Sequence, residues 1–205
     1  MEIKKLVSGV LSVNTYFVIN KENNTAVVID GGESYNFIKN AEKELGVKVI
    51  AELLTHSHFD HSGNAKALQD NGVKIYIHEN EAINLKTGDT LSLDFGKPFQ
   101  TLTPDYTFSD NEIIKVGGFE FKVMHTAGHS EGSVCFVLDN NIFSGDTLFN
   151  LSIGRTDFPN GDYAKMKASL KKLVALKEEY NIYPGHGENT TLLYEKQNNY
   201  YLKNL

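Results

Sequence analysis

Between residues 55 and 61 the chain reads Thr55-His56-Ser57-His58-Phe59-Asp60-His61, with four side chains of metal-ligand type in the six positions from His56. The apolar run from Val47 to Leu54 ahead of it has the character of a β-strand. Asp60 to Gln69 behind it reads as a helix opened by an acidic cap. In extended backbone, residues two apart share a side. His56 and His58 can therefore close on one ion, with Asp60 further along that side and the adjacent His61 facing elsewhere. Such an arrangement suits two ions side by side, His56 and His58 for the first and Asp60 with His61 for the second. A fold built around this segment has to bring further donors to it.

Three later segments offer them, each just past a run that reads as strand. They are His125-Thr126-Ala127-Gly128-His129-Ser130, Phe143-Ser144-Gly145-Asp146-Thr147 and Tyr183-Pro184-Gly185-His186-Gly187. Glycines beside each donor permit the sharp turns by which several strand ends converge on one point. The candidates are His129, Asp146 and His186. A carboxylate such as Asp146 can place one oxygen on each of two ions and bridge them, which a histidine cannot do.

Composition narrows the chemistry. Cys135 is the single cysteine, so neither a disulfide, a thiolate zinc site nor a dithiol redox pair can be built, and any metal must be held by His and carboxylate. A formal charge of -6 with no basic stripe argues against a nucleic-acid partner. Met1 to Asn20 lacks the continuous apolar run of a signal peptide, and no segment approaches the roughly 18 apolar residues of a membrane span. The expectation is a cytoplasmic protein with no membrane partner. At 205 residues and 40% hydrophobic content it is expected to form one domain, 1–205.

The hydrophobic period changes repeatedly, which predicts a mixed α and β fold. Strands are expected at Thr15–Asn20, Thr25–Asp30, Val73–His78, Glu112–Val116, Phe119–His125, Ser133–Leu138 and Asn141–Ser144. Helices are expected at Ser34–Leu45, Asp162–Lys177 and Thr190–Lys203, and Thr87–Asp110 reads as a loop-rich crossover. Cys135 sits in an apolar strand and is expected to pack in the core; His78 is expected to be a structural strand-end histidine, and His125 either supports the ligands from behind or is a partly buried structural histidine.

The series His-x-His-x-Asp-His, followed in order by His129, Asp146 and His186 in these glycine contexts, resembles the metallo-β-lactamase superfamily. The resemblance runs from Asp30-Gly31-Gly32 to Pro184-Gly185-His186-Gly187, essentially the whole chain. It implies the α+β class, a four-layer αβ/βα sandwich with the metals at one edge between two sheets. It also implies His56, His58 and His129 as ligands of a first ion, Asp60, His61 and His186 as those of a second, and Asp146 as the bridge. Two divalent ions are implied, zinc foremost, with iron and manganese also suited to such ligands. Asp30, followed by two glycines, and Thr55 are candidates to hold ligand imidazoles from behind, although Asp30 could equally be a turn residue.

An aspartate at 146 resembles the binuclear thioesterase, lactonase and nuclease branches rather than true β-lactamases. The stretch Ser152-Ile153-Gly154-Arg155-Thr156-Asp157-Phe158-Pro159 is similar to the corresponding loop of small bacterial type II glyoxalases, the hydroxyacylglutathione hydrolases, and of the related persulfide dioxygenases. The implied activity is hydrolysis of small-molecule thioesters of the S-lactoylglutathione type by a metal-bridging hydroxide, which Asp60 and Asp146 hold and orient. Arg155 is either a clamp for a substrate carboxylate or the partner of an acid such as Asp157. No separate C-terminal helical domain for glutathione is expected, and Asp157 and Glu188 stand where larger glyoxalases place tyrosines. A different small acyl-thiol or ester therefore remains an alternative substrate, and a mononuclear iron persulfide dioxygenase an alternative enzyme. Oligomeric state has no signature in the sequence.

Overall fold

Val13–Ile19 and Ala26–Asp30 are buried almost without interruption, the pattern of strands covered on both faces. The computed structural model describes residues 1–205, which divide into two compact units: Met1–Phe108 with Lys115–Phe119, and Ser109–Ile114 with Glu120–Leu205.

The first unit is a six-stranded sheet in chain order, β1 (Glu2–Ser8), β2 (Val13–Asn20), β3 (Thr25–Ile29), β4 (Lys48–Leu53), β5 (Lys74–His78) and β6 (Tyr106–Phe108). The pairs β1–β2 and β2–β3 are antiparallel, and β3 to β6 run parallel. Parallel neighbours need crossovers, and helices supply them. The chain crosses from β3 to β4 through α1 (Tyr35–Leu45), from β4 to β5 through α2 (Phe59–Ser62) and α3 (Ala65–Asp70), and from β5 towards β6 through α4 (Ala82–Thr87). Ser34 caps α1 by accepting the Phe37 N–H at 3.3 Å. Phe17, Ile19, Ala26 and Val28 pack with Ile38 of α1, Leu68 of α3, Ile75, Ile77 and Leu85 into one apolar cluster.

The second unit carries a sheet ordered β14-β13-β10-β9-β8-β7. In chain order its elements are β7 (Ile113–Val116), β8 (Phe119–His125), β9 (Val134–Leu138), β10 (Asn141–Gly145), the short hairpin β11 (Leu148–Phe149) and β12 (Ser152–Ile153), α5 (Tyr163–Val174), β13 (Asn181–Pro184), β14 (Thr190–Thr191), α6 (Leu192–Asn198) and α7 (Tyr200–Lys203). β10 and β13 are parallel and joined through α5, whose Met166, Leu170 and Leu173 form a buried stripe at helical spacing. That stripe meets Cys135, Ile142, Ile182, Leu192 and Leu202. Burial pushes the Cys135 thiol up to about 11, so it packs in the core as expected.

Several expectations change: among them, the helix expected over Asp60–Gln69 is split into α2 and α3, and Thr190–Thr191, expected to open a helix, form β14. β1 was not anticipated: its Lys4 and Lys5 break the apolar pattern, as suits a strand at a sheet edge. The segment Thr87–Asp110, expected to be loop, contains β6, a strand of only three residues. Asp60 lies in the first turn of α2, where His58 occupies the cap position, so Asp60 is not the cap. The last helix breaks at Asn199, which donates from Nδ2 to Glu195 Oε2 and Ser152 O and accepts the Tyr201 N–H on Oδ1. No helix is long and apolar enough to cross a membrane.

Phe17 is wholly buried in the first unit's cluster. Phe17→Ala is expected to lower stability in urea titration by about 3–5 kcal/mol, through lost transfer energy and an unfilled cavity.

Candidate metal centre

In the first unit, β4 delivers the chain into Thr55-His56-Ser57-His58, and His58 keeps extended backbone (φ -57°, ψ 144°) before α2 begins. Helical rotation then brings His61 back towards His56 instead of facing it elsewhere. The His56 and His61 rings lie 4.2 Å apart between centroids, and those of His56 and His58 4.5 Å apart. His61 Nε2 stands 3.5 Å from Asp60 Oδ2. All four donors are buried, His56 and His61 completely.

Asp30, just past β3, determines how these rings are presented. It holds a left-handed backbone (φ 53°), and its carboxylate accepts Thr55 N–H at 2.8 Å on Oδ1 and Thr55 Oγ1–H at 2.7 Å on Oδ2. His61 Nδ1 lies 2.9 Å from the same Oδ2. A carboxylate oxygen only accepts, so His61 Nδ1 is the donor, and in the neutral ring the lone pair is on Nε2. Thr55 Oγ1, having given its proton to Asp30, accepts from His56 Nδ1 at 3.1 Å, with the same result for His56. Asp30 thus contacts the His61 ring directly and the His56 ring through Thr55.

Ser57, the spacer between the two histidines, is fixed by a residue the sequence did not signal. Glu81 Oε2, fully buried, accepts Ser57 N–H at 3.0 Å and also the Ser57 hydroxyl. Asn84 Nδ2 donates to Ser57 Oγ at 3.1 Å. Glu81 lies far along the chain, in no pattern that marks it.

In the second unit, His129, Asp146 and His186 follow β8, β10 and β13. Asp146 Oδ2 stands 3.4 Å from His129 Nε2 and 3.6 Å from His186 Nε2. Gly185 N–H donates to Gly145 O at 2.8 Å, which seats the His186 loop beside the Asp146 loop. His129 Nδ1 donates to Arg155 O at 2.8 Å, so this ring too carries its lone pair on Nε2. The Arg155 carbonyl reaches it because Gly154 passes so close to Asp146 O that a Cβ would overlap that oxygen. Glu195 and Asn199 secure the approach: Glu195 Oε2 accepts Leu151 N–H at 2.9 Å, and Asn199 Nδ2 donates to Ser152 O at 3.1 Å.

The Arg155 side chain is paired with Asp157 in this structure. Its Nε and Nη2 each donate to Asp157 at 2.7 Å, and Cζ lies 3.8 Å above the Phe158 ring. The guanidinium holds the Asp157 carboxyl down to about 2, yet both side chains are exposed and the pair is weak. His125 and His78 make structural contacts, Nε2 of the former at 2.9 Å from Glu131 O and Nδ1 of the latter accepting Asn80 N–H at 3.2 Å.

The buried imidazoles of His56, His61 and His129, each with Nδ1 engaged and Nε2 turned away from that contact, form together with the carboxylates a donor set suited to first-row divalent metals. The sequence profile of the metallo-β-lactamase superfamily matches residues 8–186, and the chain belongs to this superfamily of metal-dependent proteins. Its fold is the expected α+β, αβ/βα type of that family. Among individual proteins, it is 36% identical over 197 residues to hydroxyacylglutathione hydrolase GloC of Haemophilus influenzae, covering 92% of each chain. It is similar to the crystal structure of BLEG-1 B3 metallo-β-lactamase (TM-score 0.90, 34% identity, 98% of this chain and 99% of that one). It is also similar to TTHA1623 in a di-iron-bound form (TM-score 0.86, 32% identity, 97% of this chain and 100% of that one).

Thr55→Val removes the acceptor of His56 Nδ1 and one donor to Asp30. Zinc affinity measured by competition with a chromophoric chelator is expected to fall about 10–100-fold.

Proposed function

We propose that the two donor sets hold a common pair of divalent ions, and that the protein is a binuclear hydrolase of hydroxyacylglutathione-type thioesters. In this reading His56, His58 and His129 serve one ion, Asp60, His61 and His186 the other, and Asp146 bridges them. The two units then work as one domain. The observation that carries the reading is Asp146, a carboxylate with one oxygen within 3.6 Å of the Nε2 atoms of both His129 and His186. The similarity to GloC supports the substrate class, and the di-iron form of TTHA1623 supports two ions.

Held by these residues, divalent ions would supply a water of lowered pKa, towards about 7, and polarisation of a carbonyl. Asp60 and Asp146 would orient the attacking water through their carboxylate oxygens. The leaving thiolate, from a thiol with a pKa near about 8.5, requires no side chain to protonate it. Arg155 would exchange its exposed partner Asp157 for a substrate carboxylate, keeping the bidentate geometry. A small-molecule substrate in the cytoplasm, with no nucleic-acid or membrane partner, completes the proposal.

The test is to purify the protein anaerobically, count metals per chain by plasma mass spectrometry, and assay S-lactoylglutathione, a β-lactam and glutathione persulfide on the same sample. Close to two metals with rapid thioester hydrolysis is the expected result. One iron per chain with persulfide-dependent oxygen uptake and no hydrolysis overturns it, as does a preference for the β-lactam. Asp146→Asn and His58→Ala are expected to lose metal and activity together, and a fully active metal-free variant would sink the assignment. Arg155→Ala is expected to raise KM about tenfold or more with little change in kcat, as for a lost charged hydrogen bond.

A further inference from the structure

Beneath the turn that carries Asp30 lies a second carboxyl group that the metal-site reading does not use. Glu52, next to the last residue of β4, is fully buried, with Oε1 accepting the Gly31 N–H at 2.8 Å and Oε2 without a hydrogen-bond partner. Asn64, between α2 and α3, donates from Nδ2 to Gly31 O at 2.8 Å, and its Oδ1 is likewise buried without a partner. The amide orientation is set by that bond, because Gly31 O can only accept. Both side chains lie against Gly31: a Cβ there would overlap Glu52 Oε1 and come within 2.9 Å of Asn64 Oδ1. Two unpartnered buried acceptors flanking one residue would each be costly, and a single proton between them would satisfy both.

We propose that Glu52 is a neutral carboxylic acid whose Oε2–H donates to Asn64 Oδ1, and that this hydrogen bond makes Glu52 the positioning residue of the Asp30 turn. With it in place, the Gly31 N–H and C=O are both fixed, and Asp30 is held in the left-handed conformation from which it aims Thr55 and His61. An ionised Glu52 would instead set its charge against the Asn64 Oδ1 dipole. The environment favours the neutral form. Burial pushes the Glu52 carboxyl up to about 8, with the Asp30 charge acting in the same direction and the Gly31 hydrogen bond opposing it. Asp30 is the charged group facing it; its register partners in β3 and β5, Val28 and Ile75, are apolar, and Gly31 and Asn64 are uncharged.

In the unfolded chain the carboxyl ionises near its ordinary 4.5, and in the folded protein only near about 8. Glu52 therefore contributes stability that is fully present below pH 4.5, is lost as pH rises towards about 8, and changes little above that. Glu52→Gln keeps both hydrogen bonds, with Oε1 to Gly31 N and Nε2–H to Asn64 Oδ1, and removes the titration. Glu52→Leu removes both bonds.

Infrared difference spectra of wild type and Glu52→Gln, recorded on metal-free protein at pH 7, test the proton directly. The expected result is a protonated-carboxyl C=O band present in wild type and absent in the variant; a carboxylate band in its place overturns the proposal. Across the pH window above, the melting temperature of Glu52→Gln is expected to rise progressively relative to wild type, and a constant difference overturns the proposal. Zinc affinity is expected to be retained in Glu52→Gln and reduced about 10–100-fold in Glu52→Leu. An equal loss in both variants overturns the positioning role. If Glu52→Leu does not fold, the infrared and melting comparisons with Glu52→Gln decide. If the wild type binds no zinc, the proposed function fails, while the infrared result still reports on Glu52.

Discussion

The carboxylate of Asp30 is the interaction on which the first unit's donors depend. A buried carboxylate is costly unless its oxygens are occupied, and Asp30 meets that demand with Thr55 N–H, Thr55 Oγ1–H and His61 Nδ1–H. Each of these bonds fixes something different: the exit of β4, the rotamer that receives His56, and the ring of a residue in α2. A single side chain in an uncommon backbone conformation thereby couples the end of one strand, the end of its neighbour and the first turn of a helix.

The second unit solves the same problem with a backbone atom. His129 finds its acceptor in the Arg155 carbonyl, brought close by the tight passage of Gly154 over Asp146. For His56, His61 and His129 the Nδ1 side of the imidazole is committed to protein within the same unit, so the orientation of these three rings is set locally before any ion binds. Preorganisation of this kind limits the ordering that binding must accomplish.

The donors themselves were legible in the sequence because metal ligands demand particular residue types, and turns at strand ends demand glycine. Most strands of both sheets were legible as well, since a covered strand reads as a short apolar run. The conformation of Asp60 and His61 was not. The helix was read from Asp60 and begins at Phe59, but the extended geometry of His56 and His58 was carried past its start, which sent His61 away from His56 when the helix brings it near. The supporting residues Glu81, Glu52 and Asn64 were also invisible, because they lie far along the chain from what they support and have no characteristic neighbours. The Arg155 carbonyl shows a further limit: the residue was noticed for its side chain, whereas the atom oriented towards His129 belongs to the backbone, which every residue possesses.

The bonds from Glu195 to Leu151 and from Asn199 to Ser152 impose an order in time. Glu195 and Asn199 follow the last donor, His186, along the chain, so the β11–β12 turn receives its two anchors from a segment made after every donor. Until α6 docks, the turn that leads to the Arg155 carbonyl lacks these two bonds.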